Sequence, residues 1–205
     1  MSQEDRPQIY LITPPELDLE VFPQRLARVL DAAEIACLRL SISSRDEDHI
    51  SRVADTLRDV AHRRDVPLVI ERHVQLVERL GLDGVHLADG ARNVRKIRKD
   101  LGEDAIIGAY CGTTRHEGIN AAESGAEYVA FGPVGDSVLG DGTRADLELF
   151  QWWTEMINVA VVAEGALSPE LVRQLSPVTD FFAFGDEIWR EEDPVAALKA
   201  LSDCM

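Results

Sequence analysis

The sequence predicts a compact (β/α)8 barrel, and three observations favour this fold. Short runs rich in Val, Ile and Leu alternate eight times with longer segments whose apolar residues recur every three or four positions. The short runs are continuously apolar, which is typical of parallel strands buried on both faces. No Gly-x-Gly-x-x-Gly follows the first run and no long insertion breaks the alternation, so an open doubly wound sheet is the weaker alternative.

The eight predicted strands are the short apolar runs, taken in chain order. They are Gln8–Thr13, Ala36–Ile42, Leu68–Glu71, Gly84–Leu87, Ile106–Ala109, Tyr128–Phe131, Ala160–Ala163 and Phe181–Phe184. Eight similar strand–helix units can close into a barrel, which leaves no strand edge exposed. We therefore expect one barrel domain over residues 1–205.

The predicted helices lie between and after these strands, and each has apolar residues three or four positions apart. They are Leu19–Ala33, Asp48–Arg64, Val74–Leu80, Asn93–Leu101, His116–Ser124, Asp146–Met156, Pro169–Leu175 and Pro194–Leu201. The loop Gly132–Gly142 (GPVGDSVLGDG) after strand six has an unusual composition, because four of its eleven residues are glycine. The basic stretch Arg92–Lys99 reads as a solvated helix face, or as a surface that pairs with a second copy of the chain in a homodimer.

The composition excludes several classes of function. The chain has 21 Lys and Arg against 37 Asp and Glu, a formal net charge of −16, which disfavours nucleic acid and anionic lipid as partners. No apolar run reaches the roughly 20 residues of a membrane helix, and the acidic start is not a secretory signal. Cys37, Cys111 and Cys204 form no Cys-x-x-Cys pair, so we expect neither disulfides nor a zinc site, and a cytoplasmic location.

Polar residues at the carboxyl ends of the strands are the candidate site, because that end carries the chemistry in this fold. Most of them are acidic, and a carboxylate cluster can hold a metal, bind a cation or perform acid–base catalysis. The candidates in strand order are Arg39, Glu71, Arg72, His86, Asp89, Cys111, Glu164, Gly185 and Asp186.

Several of these candidates have a plain structural alternative. Gly165 with Ala166, and Gly185, follow strands seven and eight, where barrels often bind phosphate with backbone N–H groups, but such residues also simply end strands. Asp186 and Asp89 could instead be helix N-caps. His86 reads as a core histidine or as a ligand-binding one.

The middle of the chain resembles the family of thiamine phosphate synthase and its thiazole tautomerase relatives. Gly81–Leu87 (GLDGVHL) is similar to the family's GADGVHL, and Ser124–Val134 (SGAEYVAFGPV) is similar to its GADYVGFGP. Val159–Leu167 (VAVVAEGAL) resembles PVVAIGGI, and Ile9–Thr13 resembles the opening strand. The resemblance implies a (β/α)8 barrel of thiamine synthesis. The family's synthase joins an aminopyrimidine pyrophosphate to a thiazole phosphate and releases pyrophosphate, with Mg2+ on the leaving group.

The resemblance also assigns ligand contacts. Arg39 matches a pyrophosphate-binding arginine, and His86 matches the histidine of the GVHL motif. Gly132 and Pro133 match the start of a G-P-x-F-x-T-x-T-K loop, in which Arg144 could replace the lysine. Gly165 matches the first glycine of the turn that receives the thiazole phosphate, and Ala166 replaces the second.

The sequence also departs from the family at residues that bind metal and pyrophosphate. The family's strand-two motif is Q-x-R-x-K, and Cys37 and Ser41 replace its glutamine and lysine on either side of Arg39. Arg72 and Ala91 replace two metal-binding aspartates of the family, so the expected Mg2+ ligands are missing. The catalytic histidine of the tautomerase branch aligns with Pro133. These changes predict a reaction that is altered or absent.

Three hypotheses follow for the function. The first is the synthase reaction of the family. The second is a non-catalytic barrel that holds a cationic or uncharged thiamine-related ligand between Glu71 and Glu164. The third is altered chemistry, in which Glu71 or Glu164 is a general base tuned by Arg39 or Arg72.

Overall fold

A computed structural model describes residues 6–136 and 142–205 of the chain as a closed barrel of eight parallel strands. The strands pair in chain order, and the eighth returns to pair with the first. This confirms the barrel and excludes the open sheet. Of the predicted glycine-rich loop, residues 137–141 lie outside the described residues.

The strands and helices alternate along the chain. The strands are β1 (Gln8–Ile12), β2 (Ile35–Leu40), β3 (Leu68–Glu71), β4 (Gly84–Leu87), β5 (Ile106–Tyr110), β6 (Tyr128–Phe131), β7 (Ala160–Glu164) and β8 (Phe181–Phe184). The helices are α1 (Phe22–Ala32), α2 (Glu47–His62), α3 (Gln75–Leu80), α4 (Val94–Leu101), α5 (Arg115–Glu123), α6 (Leu147–Met156), α7 (Pro169–Leu175), α8 (Asp186–Trp189) and α9 (Pro194–Ser202).

The boundaries match the sequence prediction closely, with two additions. A 3-10 turn, Ser176–Val178, follows α7, and the four-residue helix α8 follows β8. Neither segment is long enough to show a helical period in the sequence. The predicted first helix begins three residues later than expected, next to Pro23, whose fixed φ suits the first turn of a helix.

The core has two layers, as expected for a barrel ringed by helices. The outer layer lies between strands and helices and includes Phe131, which packs edge-on against Phe150 and Trp153 of α6. The inner layer fills the barrel and includes Tyr10, Cys37, Val69 and Tyr128. Strand residues alternate between the two layers, so the inner residues of neighbouring strands stack along the barrel axis. This packing fixes the inward side chains from which the site is built.

In the part of the chain that the structure describes, the longest helices are too short or too polar to cross a bilayer.

Candidate functional site

Five polar side chains from five strands meet inside the barrel and form one hydrogen-bonded chain. They are Tyr10 of β1, Arg39 of β2, His86 of β4, Tyr128 of β6 and Glu164 of β7. Arg39 and His86 are only 5% and 2% exposed. The barrel therefore carries polar groups in a place where each of them needs a partner.

The geometry of this chain fixes where its protons lie. Nη1 of Arg39 lies 3.0 Å from Oε2 of Glu164 and 2.6 Å from Nε2 of His86. A guanidinium can only donate, so Nε2 of His86 accepts and its Nδ1 carries the proton. Nδ1 then donates to the hydroxyl of Tyr128 over 3.0 Å, and that hydroxyl lies 2.7 Å from the hydroxyl of Tyr10.

Burial and charge together hold these groups in defined ionisation states. Burial raises the pKa of Tyr10 and Tyr128 well above the ordinary value for tyrosine. Burial, and then the charge of Arg39, lowers the pKa of His86 well below its ordinary value, so this imidazole is neutral at pH 7. Burial is the largest single influence on the pKa of Arg39 and lowers it, but Glu164 together with Tyr10 and Tyr128 raises that pKa above its ordinary value, so the guanidinium stays charged.

Arg39 also has binding capacity that the chain does not use. Its Nε is buried and has no hydrogen-bond partner among the described residues. The guanidinium carbon lies 5.7 Å from the centre of the Tyr10 ring, so the aromatic face supports the cation without filling its donors. A buried cation with an unfilled donor can bind an anionic or acceptor group of a ligand.

Glu71, the other predicted catalytic carboxylate, lies apart from this chain. Its Oε1 lies 3.0 Å from Nη2 of Arg72 in an ion pair, and the Arg72 side chain is 72% exposed. Arg72 has φ 71°, an unusual left-handed conformation at the end of β3. The sequence left open whether Glu71 pairs with Arg39 or Arg72, and the structure shows the pair with Arg72.

Arg72 and Ala91, which the resemblance aligns with the family's two metal-binding aspartates, offer no carboxylate oxygen in this chain. Arg72 brings a cation to its aligned position, and Ala91 packs against the hydrophobic core and has no side-chain oxygen. Among the described residues, no three His, Cys, Asp or Glu side chains come together in a way that could hold a metal ion. Mg2+ needs several oxygen ligands in octahedral geometry.

The loop after β6 and the turn after β7 form one packed unit, which brings together Gly132, Pro133, Gly165 and Ala166. Gly165 and Ala166 have φ of 90° and 55°, and the Gly165 carbonyl accepts the amide of Gly135 over 3.0 Å. A side chain on Gly132 would lie 2.4 Å from the carbonyl oxygen of Glu164, so glycine is required there. This packing holds Glu164 at the end of β7.

Cys111 and Arg144 do not join the hydrogen-bonded chain. Cys111 is buried, its sulfur lies 3.5 Å from the Ala109 carbonyl, and burial raises the pKa of its thiol to about 12. It therefore has the character of a small packing residue rather than a nucleophile. Arg144 is about half exposed and pairs with Asp136 in the strand-six loop.

The carboxylate that contacts the end of β8 is Glu187, which the sequence reasoning did not identify. Glu187 accepts the amide of Leu167 at 3.0 Å and the amide of Gly185 at 2.8 Å. Asp186, the predicted residue, is the first residue of α8 and pairs with Arg190 instead. Glu187 follows Asp186 directly, so the pair of adjacent acids was the available signal.

Comparisons with known proteins find relatives in one family. Residues 9–180 match the family model described as thiamine monophosphate synthase. Thiamine-phosphate synthase of Rhodospirillum centenum is 36% identical over 96% of this chain and 95% of its own length. The protein of the same name from Erythrobacter litoralis is 34% identical over 99% and 98%.

A solved structure supports the same architecture. The thiamine phosphate pyrophosphorylase of Pyrococcus furiosus superposes with a TM-score of 0.82 at 23% identity, covering 96% of this chain and 94% of that one.

Proposed function

The chain belongs to the thiamine monophosphate synthase family, and we propose that it catalyses that family's coupling of an aminopyrimidine pyrophosphate with a thiazole at the mouth of its barrel. The thiazole nitrogen attacks the methylene carbon of the pyrimidine. The bond from that carbon to the pyrophosphate oxygen breaks, and its electron pair leaves with pyrophosphate. No oxidant, reductant or proton transfer is needed for this balance.

The observation that carries this proposal is the buried guanidinium of Arg39. It lies near the carboxyl end of β2, with an unfilled Nε donor, where an anionic leaving group would gain a charged hydrogen bond. His86 acts as a positioning residue because its Nε2 accepts a hydrogen bond from Arg39. Tyr128 is a second positioning residue, because its hydroxyl accepts from Nδ1 and so orients the His86 imidazole.

Glu164 changes what this site can do. It already pairs with Nη1 of Arg39, so a pyrophosphate group must compete with an internal carboxylate for the same cation. We therefore propose that coupling is slow with the standard substrates and that its leaving group is stabilised by Arg39 rather than by a metal at the usual family position. Glu164 faces the ligand as an acceptor or counter-charge, and Glu71 lies at the opposite side of the ring.

The setting we propose is the cytoplasm, with small phosphate-bearing molecules as substrates. Cys37 and Cys111 are buried and unpaired, which suits a reducing compartment. The net charge of −16 argues against a nucleic-acid partner. A homodimer through the basic face of α4 stays a prediction.

The test is pyrophosphate release by the full chain with the aminopyrimidine pyrophosphate and a thiazole, with and without Mg2+. We expect release only when both substrates are present, together with a thiamine product detected by mass spectrometry. Arg39→Met should abolish it, whereas Arg28→Met, at an arginine whose side chain is 67% exposed, should not. Thermal stabilisation by thiamine-related ligands without any release would refute the proposal and favour a non-catalytic binding protein.

A further inference from the structure

The carboxylate of Glu187 occupies two backbone amides that come from different parts of the barrel mouth. The Leu167 amide lies in the loop after β7 and donates to Oε1, and the Gly185 amide lies at the end of β8 and donates to Oε2. One side chain therefore joins the loops that follow the last two strands.

The surrounding backbone keeps these amides in place. Gly165 and Ala166, just before Leu167, adopt left-handed φ values, and the strand-six loop packs directly over them. A side chain on Gly135 would lie 2.0 Å from the Ala166 carbonyl oxygen, so the loop cannot approach more closely. The turn is thus closely packed against the strand-six loop.

Backbone amides after strands seven and eight are where (β/α)8 barrels frequently bind the phosphate of a substrate. Here the chain's own carboxylate satisfies two such amides. A substrate phosphate at the same place would have to displace Glu187, or else lie beside it as a second anion. Asp186 does not compete in this way, because Arg190 pairs with it.

From this arrangement we propose that Glu187 is a specificity-determining residue that makes the thiazole substrate an unphosphorylated alcohol. The inference rests on the proposed function, since it names the substrate class of that reaction. The bonds made and broken are the same with or without the phosphate, because the side arm of the thiazole takes no part. The product would then be thiamine itself rather than its phosphate.

A purely structural role for Glu187 makes a different prediction. As the second residue of α8, Glu187 also caps the helix by accepting the Gly185 amide. If capping were its whole role, replacing it would lower stability and leave the preference between alcohol and phosphate unchanged. The preference is therefore the measurement that separates the two roles.

The experiment measures dissociation constants by calorimetry and kcat/KM by product analysis, for the thiazole alcohol and the thiazole phosphate. The variants are Glu187→Gln, which keeps the shape and removes the charge, and Glu192→Gln, which removes one exposed carboxylate from the same segment. We expect the unaltered protein to prefer the alcohol at least tenfold. Glu187→Gln should lose that preference at least tenfold, and Glu192→Gln should keep it.

Two outcomes would overturn the inference: a preference of the unaltered protein for the phosphate, or an equal shift in both variants. A preference that Glu187→Gln leaves unchanged would also overturn it, and if that variant folds poorly, a preference of the unaltered protein for the phosphate still does so. If the alcohol binds preferentially and Glu187→Gln loses that preference, but neither thiazole is turned over, the proposed function fails and the assignment of Glu187 to ligand selection stands.

Discussion

The ion pair between Arg39 and Glu164 allows a quantitative test of how far water is excluded from the mouth of the barrel. The two charges lie 3.0 Å apart, and their side chains are 6% and 13% exposed. We consider Arg39→Met, which keeps most of the apolar stem, Glu164→Leu, which replaces the carboxylate with an apolar group, and the double variant. Each single change leaves one buried charge without its partner, and the double change removes both.

The expected magnitudes follow from this burial. Removing one partner of a buried pair costs about 3–5 kcal/mol, because the remaining charge is desolvated and unpaired. Arg39→Met has an added cost of about 1–3 kcal/mol, since Nε2 of His86 also loses its donor. The double variant should keep the His86 cost but escape the charge cost, so it should be at least about 3 kcal/mol more stable than the sum of the singles predicts.

The assay is urea unfolding of the three variants and the unaltered protein, followed by circular dichroism. For a chain of this size, each kcal/mol also lowers the melting temperature by about 2–4 °C, so a thermal scan gives an independent check. Single variants that cost under about 1 kcal/mol each and add without coupling would refute the reasoning. They would mean that water reaches this pair and screens it as at an ordinary surface.

Three further predictions follow from the same residues. Arg39→Met should weaken binding of inorganic pyrophosphate roughly 10- to 100-fold in calorimetry, the loss of one charged hydrogen bond of about 1.5–3 kcal/mol; unchanged affinity would assign the anion elsewhere. The pKa of His86 lies well below its ordinary value, so the unfolded chain binds the proton more readily, and stability should fall as pH drops below about 6.5, by up to about 1.4 kcal/mol per pH unit. His86→Gln should remove that part of the decline, and an unaltered pH profile would contradict it. Adding Mg2+ should change pyrophosphate affinity less than about twofold, because Arg72 and Ala91 offer no carboxylate oxygens; tight metal-dependent binding would show that other residues supply the ligands.

The fold was predictable because each strand of a closed parallel barrel is apolar on both faces. That pattern marks a strand without any knowledge of its neighbours, and four of the eight strand boundaries agree to the residue. Helix α8 escaped prediction because four residues are barely one helical turn, too few to show a period. The position of α8 is set by the loop after β8 and by the contacts of Glu187 with two backbone amides, and both form only in the folded barrel.

The site was predictable only in part. Arg39, His86 and Glu164 are candidates from the sequence because they end or nearly end strands, but their mutual contact depends on three strands that do not neighbour each other. Tyr10 and Tyr128 were missed because aromatic residues are common in strands. The available signal was that each is the one residue with a side-chain hydroxyl in its strand, at a position that faces the barrel interior.

At the mouth of this barrel, carboxylates of the chain itself pair with its positive groups and backbone amides. Arg39 pairs with Glu164, Arg72 pairs with Glu71, and Glu187 fills two amides in the loops after β7 and β8. Under the proposed function, a ligand phosphate that takes the place of one of these carboxylates gains only the difference between two similar interactions, whereas one that reaches the unfilled Nε of Arg39 displaces no carboxylate from that atom. An uncharged or cationic ligand needs no such exchange. It can bind beside these carboxylates while each of them keeps its present partner. Under the proposed function, we therefore expect the carboxylates beside Arg39, Arg72 and the two amides to govern the choice of ligand as much as those groups themselves.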